Sequence, residues 1–250
     1  MTTTSLHALL LLSDSALPLG SFAFSSGLES FLSHNKPKQT SNSTRLLAFD
    51  AFLEQSLANV ASTALPHVLT AYDDPATVED LDNDFDASTP CTVARRASVA
   101  QGRALLGIWE RAFKDSAADG VEAQIAAKEL TAYAAAIKTA KPDSFGLQLN
   151  GHFSPLFGVA CSALGLTAED TAYLFLLNHA KALLSAAVRA SVMGPYQSQA
   201  MLASGKLQAC VKACVDREKG RRVSDTAVTV PVMDLWMGRH ELLYSRIFNS

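Results

Sequence analysis

The chain predicts an all-α fold: one globular helical-bundle domain of about ten helices spanning residues 1–250, with a flexible C-terminal tail. Three observations carry this. Alanine and leucine dominate a composition with 48% apolar and only 18% charged residues, and neither residue loses much freedom in a helix. Apolar residues recur at helical spacing along the chain, while no alternating segments closed by hairpin turns recur. No Gly/Ser linker and no fixed-period repeat divides the sequence, whose length suits one large core.

The elements follow in order. Residues 1–20 form an N-terminal arm, with a first helix over residues 5–13 that ends at the turn around Pro18 and Gly20, because proline disfavours helix at the residue before it. A second helix begins near Ser25, capped by Ser25 or Ser26, with Leu28, Phe31 and Leu32 on one face. Polar residues 36–43 read as a loop. A long helix from about Thr44 carries Leu46, Leu47, Phe49, Phe52, Leu53 and Leu57, and Pro66 either breaks it or opens the next one. Residues 73–90 hold seven acidic side chains and no basic one, so they read as an acidic loop or a short frayed helix.

Helical spacing returns over residues 93–113, anchored by Leu105, Leu106, Ile108, Trp109 and Phe113, and again over residues 121–138. A polar turn with Pro142 and Gly146 follows. Pro155 suits the first turn of a helix that runs to Leu164, where Gly165 can cap it. Thr167 with Asp170 forms a start like a capping box for a helix to about Val192, apolar on most sides and therefore central. Gly194 and Pro195 stop it. One last long helix covers residues 196–217, and residues 224–250 form the tail, extended from Val228 to Val232.

Several function classes fall away. A net charge of −3 and the lack of a basic stripe with interleaved aromatics argue against nucleic acid. Residues 172–193 have the length of a membrane span, but Asn178, His179, Lys181 and Arg189 inside it argue for a core helix. The apolar run from Leu9 to Leu12 lacks the basic flank of a secretory signal. Four scattered cysteines, Cys91, Cys161, Cys210 and Cys214, fit a reducing, cytoplasmic setting. Cys210 and Cys214 share a helix face, yet no further ligands stand nearby, so no metal site is assigned. The acidic run from Asp80 to Asp86 lacks the glycine and terminal glutamate of a calcium loop, and no phosphate-binding or nucleophile-elbow motif occurs. No catalytic or cofactor-binding residue is assigned. His152, beside Gly151 at a helix start, reads either as a packed histidine or as the base of an all-α enzyme with a buried small-molecule pocket.

Four blocks carry a resemblance. Residues 14–29 contain Ser15-Ala16-Leu17-Pro18, Gly20, Phe22 and Ser26-Gly27-Leu28-Glu29. Residues 95–106 contain Gln101-Gly102. His152 to Gly158 and Ser185 to Arg189 follow. The chain ends in Tyr244-Ser245-Arg246-Ile247-Phe248-Asn249-Ser250. In this order they resemble the UreF family of urease accessory proteins over nearly the whole chain. The resemblance implies an all-helical, non-catalytic assembly factor that dimerises. Its partners would be the accessory protein UreD (also called UreH), the GTPase UreG and apo-urease, and it would support nickel insertion. Its implied docking residues are Pro18, Phe22, Glu29, Arg189, Tyr244, Arg246 and Phe248, with Trp236 and Met237 beside them. Glu29 and Arg189 also have sufficient structural explanations at the two ends of their helices. The tail either orders on a partner or packs back on its own core. A helical adaptor unrelated to nickel is the remaining alternative.

Overall fold

Helix α3 (Asn42–Asp73) is the spine of the molecule, and its 32 residues run unbroken past Pro66. The computed structural model describes residues 3–35, 42–139, 141 and 148–249; the expected loop at 36–43 and the turn at Pro142 and Gly146 fall almost entirely outside them. Eleven α-helices and no strand occur among the described residues. Besides α3 they are α1 (Thr3–Ser13), α2 (Leu28–His34), α4 (Val78–Ser88), α5 (Thr92–Ile108), α6 (Val121–Thr139), α7 (Phe153–Ala163), α8 (Ala168–Arg189), α9 (Pro195–Leu202), α10 (Gly205–Glu218) and α11 (Val232–Arg239).

Helix α7 sits at the centre, packed on α3, α4, α5, α6 and α8. Ten of its eleven residues are buried, as expected of a helix apolar on all sides. Gly158 lets it touch the spine: a Cβ there would stand 2.0 Å from the Val68 carbonyl oxygen. Helix α8 is capped as the sequence predicts, Thr167 Oγ1 accepting from the Asp170 N–H at 3.1 Å. It is the one helix among the described residues long and apolar enough to cross a membrane. It packs instead against α3, α7 and α10. Its polar groups have partners inside the fold. Asn178 donates to the Leu12 carbonyl at 3.0 Å and Lys181 to that of Ser13, closing the C-terminal end of α1. His179 bonds Ser56 at 2.8 Å.

Two expectations are corrected, and two open readings are decided. Pro66 neither ends nor starts a helix. Without an N–H it leaves the Ser62 carbonyl open, and that oxygen accepts the Ala227 N–H at 3.4 Å, so the lost helix bond is replaced by one from the C-terminal segment. Of the two readings of the acidic stretch 73–90, the short helix holds and the loop does not, because the stretch contains α4. Val78, Leu81 and Phe85 bury one face, and the acids have partners. Asp82 accepts the N–H groups of Asn150, Gly151 and His152 at 2.6, 3.0 and 2.6 Å. Asp84 meets His67 at 2.9 Å and Asp86 meets His152 at 3.1 Å. The single last helix is two, since Ser204 restarts the chain by accepting the Leu207 N–H at 3.2 Å.

The tail follows the second of its two readings and packs back onto the body. Its residues 227–230 bond to α3 and α11 packs on α2 and α5. Buried Met233 and Phe248 supply apolar anchors for it.

Candidate docking site

The site is built where the N-terminal turn, the end of α8 and the end of the chain meet. Gly20 takes φ +72 and opens a short 3-10 turn, Ser21–Ala23, which carries Phe22. Ser26 (φ +48) and Gly27 (φ +84) then reverse the chain into α2. Gly27 is needed twice over. Its left-handed backbone favours glycine, and a Cβ there would come within 3.0 Å of Trp236 and 3.1 Å of the Met237 nitrogen. The turn is thereby shaped to receive α11.

Glu29 stands in the first turn of α2 and is 8% exposed. Its own N–H donates to Ser25 Oγ at 3.4 Å. Its carboxylate receives the Ile247 N–H at 2.7 Å, the Phe248 N–H at 3.2 Å and the buried His240 ring at 3.0 Å. A buried carboxylate is costly unless paired or hydrogen-bonded, and this one is satisfied almost wholly by the tail. Hydrogen bonds to a charged group contribute about 1.5–3 kcal/mol each.

Arg189, at the end of α8, faces Glu29's clasp from the other side. It donates to the Phe22 carbonyl, and its guanidinium carbon lies 4.4 Å from the Phe248 ring centre and 6.0 Å from that of Phe22. A cation over an aromatic face is attracted by the ring quadrupole. Partial desolvation lowers the Arg189 pKa from its usual high value, and the guanidinium stays charged. The clasp closes with Asn249 N–H donating to the Ala23 carbonyl at 2.8 Å. Arg96 of α5 reaches Glu241 and the Asn249 carbonyl, and Arg246 pairs with Glu241 at 3.0 Å.

The structure thus brings Phe22, Glu29, Arg189 and Phe248 into one cluster, with Arg246 at its edge. Pro18 is exposed in the preceding turn, apart from the tail bonds. Tyr244 projects fully into solvent. Leu235, Leu242 and Ile247 are likewise more than 60% exposed, so the outward face of the tail is apolar while its inward face is bonded. His240, Arg96 and Glu241 were not singled out from the sequence. Their only signal was position: Arg96 inside the second block, and His240-Glu241 just after Arg239 in the tail.

The other candidates lie elsewhere. The His152 ring is fully buried between Phe85, 5.1 Å away, and Asp86, and the nearby cavity is lined by Phe153 and Ser154 without it. Burial pushes Cys210 up and Cys214 up to about 11, which keeps both thiols protonated at neutral pH. Among the described residues no group of three or more His, Cys, Asp or Glu is placed to hold a metal ion.

The model of the UreF family matches residues 46–206. The chain is 39% identical to a Schizosaccharomyces pombe protein named "Uncharacterized urease accessory protein UreF-like", over 99% of this chain and 98% of that one. It is 30% identical to "Urease accessory protein F" of Oryza sativa subsp. indica, over 94% of this chain and 81% of the rice protein. It is 27% identical to "Urease accessory protein UreF" of Paenarthrobacter aurescens over the full length of both. Matched along its core by the family model and end to end by these relatives, the chain belongs to the UreF family of urease accessory proteins.

Proposed function

We propose that this protein is a non-catalytic assembly factor for urease, acting in the cytoplasm. In this reading it joins UreD (UreH) and the GTPase UreG to apo-urease, works as a homodimer, and supports the insertion of nickel, which is the cargo and not a resident cofactor. The observation that carries the reading is the clasped tail. Glu29 and Arg189 fix the main chain and Phe248, while Tyr244, Leu242, Leu235 and Ile247 face outward. An apolar patch rimmed by charge, here Arg246, Glu241 and Arg96, is the composition of a protein–protein interface. Exposed Pro18, Phe22 and Tyr244 supply further docking contacts, and Glu29 and Arg189 act by holding the surface in shape. Membranes and nucleic acid have no part in this reading.

The test is urease activity in cells that lack the protein but express the urease subunits with nickel supplied. The full chain should restore nickel-loaded urease, whereas a chain ending at Leu243 and a Glu29→Ala variant should not, and both should lose co-purification of UreD. Full nickel-loaded urease in cells without the protein would sink the assembly role. Full rescue by the truncated chain would sink the role of the tail alone.

A further inference from the structure

Two adjoining cavities lie in the body, one beneath the C-terminal segment and one beneath the N-terminal turn. The larger, about 270 Å³, is walled by Val60, Phe85, Phe153, Phe175 and Met237. The smaller, about 190 Å³, shares Val60, Gln101, Phe153, Phe175 and His179 with it and continues toward the turn that carries Phe22 and Phe24. Three phenylalanine rings thus surround one chamber. A cavity of roughly 150 Å³ already admits benzene, so this one has room for a substituted ring.

Half of the residues lining the larger part are polar, and Asn59, Gln101, His179 and Asp234 are the largest of them. Burial pushes His179 down to about 4, which leaves a neutral imidazole beside Ser56. Gln101 accepts from Ser21 at 2.9 Å and keeps its amide near the shared wall. Burial also pushes the Asp234 carboxyl up. In the smaller part Lys181 already donates to the Ser13 carbonyl. Aromatic walls with polar groups placed between them suit a ring that carries hydrogen-bonding groups.

One wall is not part of the bundle. Thr226, Ala227, Val228, Asp234 and Met237 close the larger cavity from the C-terminal segment. That segment is held over it by short polar ties: Ala227 N–H to the open Ser62 carbonyl at 3.4 Å, Thr229 Oγ1 with Ser62 Oγ at 2.9 Å, and Val230 N–H to Asn59 Oδ1 at 3.1 Å. Each such bond has a net worth of only about 1 kcal/mol in water, so residues 226–230 can lift while buried Met233 and the Phe31–Trp236 ring contact keep α11 on the body.

We propose that this chamber binds a small uncharged aromatic molecule carrying one or two hydrogen-bonding groups, and that residues 226–230 are its lid. The ring stacks among Phe85, Phe153 and Phe175, and a hydroxyl or ring N–H meets Gln101 or His179. This goes beyond the assembly role and stands or falls apart from it, since it needs no partner protein.

The experiment uses the full chain with 4-fluorophenol as the probe, followed by 19F NMR. Wild-type protein should give saturable broadening, and Ala64→Phe, which fills the chamber, should abolish it while the circular dichroism spectrum stays unchanged. The Ser62→Cys/Thr229→Cys pair joins atoms now 2.9 Å apart. When oxidised it should slow probe association at least tenfold, and reduction should restore the rate. Asn59→Ala, which frees one lid tie, should speed association and tests the lid without a disulfide. Absence of saturable binding, or binding that survives Ala64→Phe, overturns the site. Equal association rates in the oxidised pair, the reduced pair and Asn59→Ala overturn the lid.

Discussion

Asp82→Ala should cost this protein more stability than any other acidic substitution in α4. Asp82 is 1% exposed, and its two oxygens receive the N–H groups of Asn150, Gly151 and His152 just before α7 begins. Alanine would leave three donors facing a site vacated by their acceptor. A buried donor left unsatisfied costs about 1–3 kcal/mol. Water entering the vacated space would satisfy part of this, so we expect a loss of about 3 kcal/mol. A domain with a total stability of roughly 5–15 kcal/mol feels that strongly. For a chain of this size about 1 kcal/mol moves the midpoint by roughly 2–4 °C, so Tm should fall by about 6–12 °C. The assay is urea and thermal unfolding followed by circular dichroism, with Asp80→Ala as the control. Asp80 is exposed on the same helix, and its removal should change stability by no more than about 0.5 kcal/mol. If Asp82→Ala unfolds within about 1 kcal/mol of Asp80→Ala, the reasoning from unsatisfied donors is refuted.

Other outcomes follow from the same geometry. Glu29→Gln weakens the acceptor beneath the tail and should raise tryptic cleavage after Arg239 and Arg246 severalfold, with cleavage after Lys128 in α6 unchanged; uniform protection would show that the tail is held by other contacts. Gly158→Ala places a Cβ 2.0 Å from the Val68 carbonyl and should cost about 2 kcal/mol or more through overpacking, read by chemical denaturation. Pro66→Ala restores an N–H that competes for the Ser62 carbonyl, so amide exchange at Ala227 should quicken while exchange in α7 does not. Finally, His179 is neutral down to about pH 4 when folded but titrates near 6.5 when unfolded. Its contribution is therefore present above 6.5 and is lost as pH falls toward 4, a change on the order of 3 kcal/mol. His179→Gln should flatten the stability profile in that window.

Much of the helical order was legible because apolar spacing and capping chemistry are local. Thr167 with Asp170 announces α8, and Gly165 and Pro195 bracket helices as their backbone preferences dictate. The failures share a cause. Pro66 reads as a breaker because the replacement donor for Ser62 arrives from residue 227, which no local window contains. The acids of α4 read as solvated because their partners, His67, Arg95 and the backbone at 150–152, lie in other elements. The spacing of Val78, Leu81 and Phe85 was the available helical signal, masked by charge count. At the docking site Glu29, Arg189 and Phe248 could be named from their blocks. That one carboxylate gathers two backbone amides and His240 could not be seen, since main-chain donors leave no trace in side-chain identity.

The two ends of the C-terminal segment are tied by main-chain atoms: Ala227 to an open helix carbonyl, Ile247 and Phe248 to Glu29. Such ties are blind to what the residues are but not to how many there are. The segment behaves like a belt with a buckle at each end, pinned between them by Met233, Trp236 and His240, so that its length is fixed more strictly than its exposed side chains. A residue removed between them must be taken up as tension, and the longer 3.4 Å bond at Ser62 will part before the 2.7 Å bond at Glu29. Insertions and deletions in this chain should therefore be confined to places outside that span.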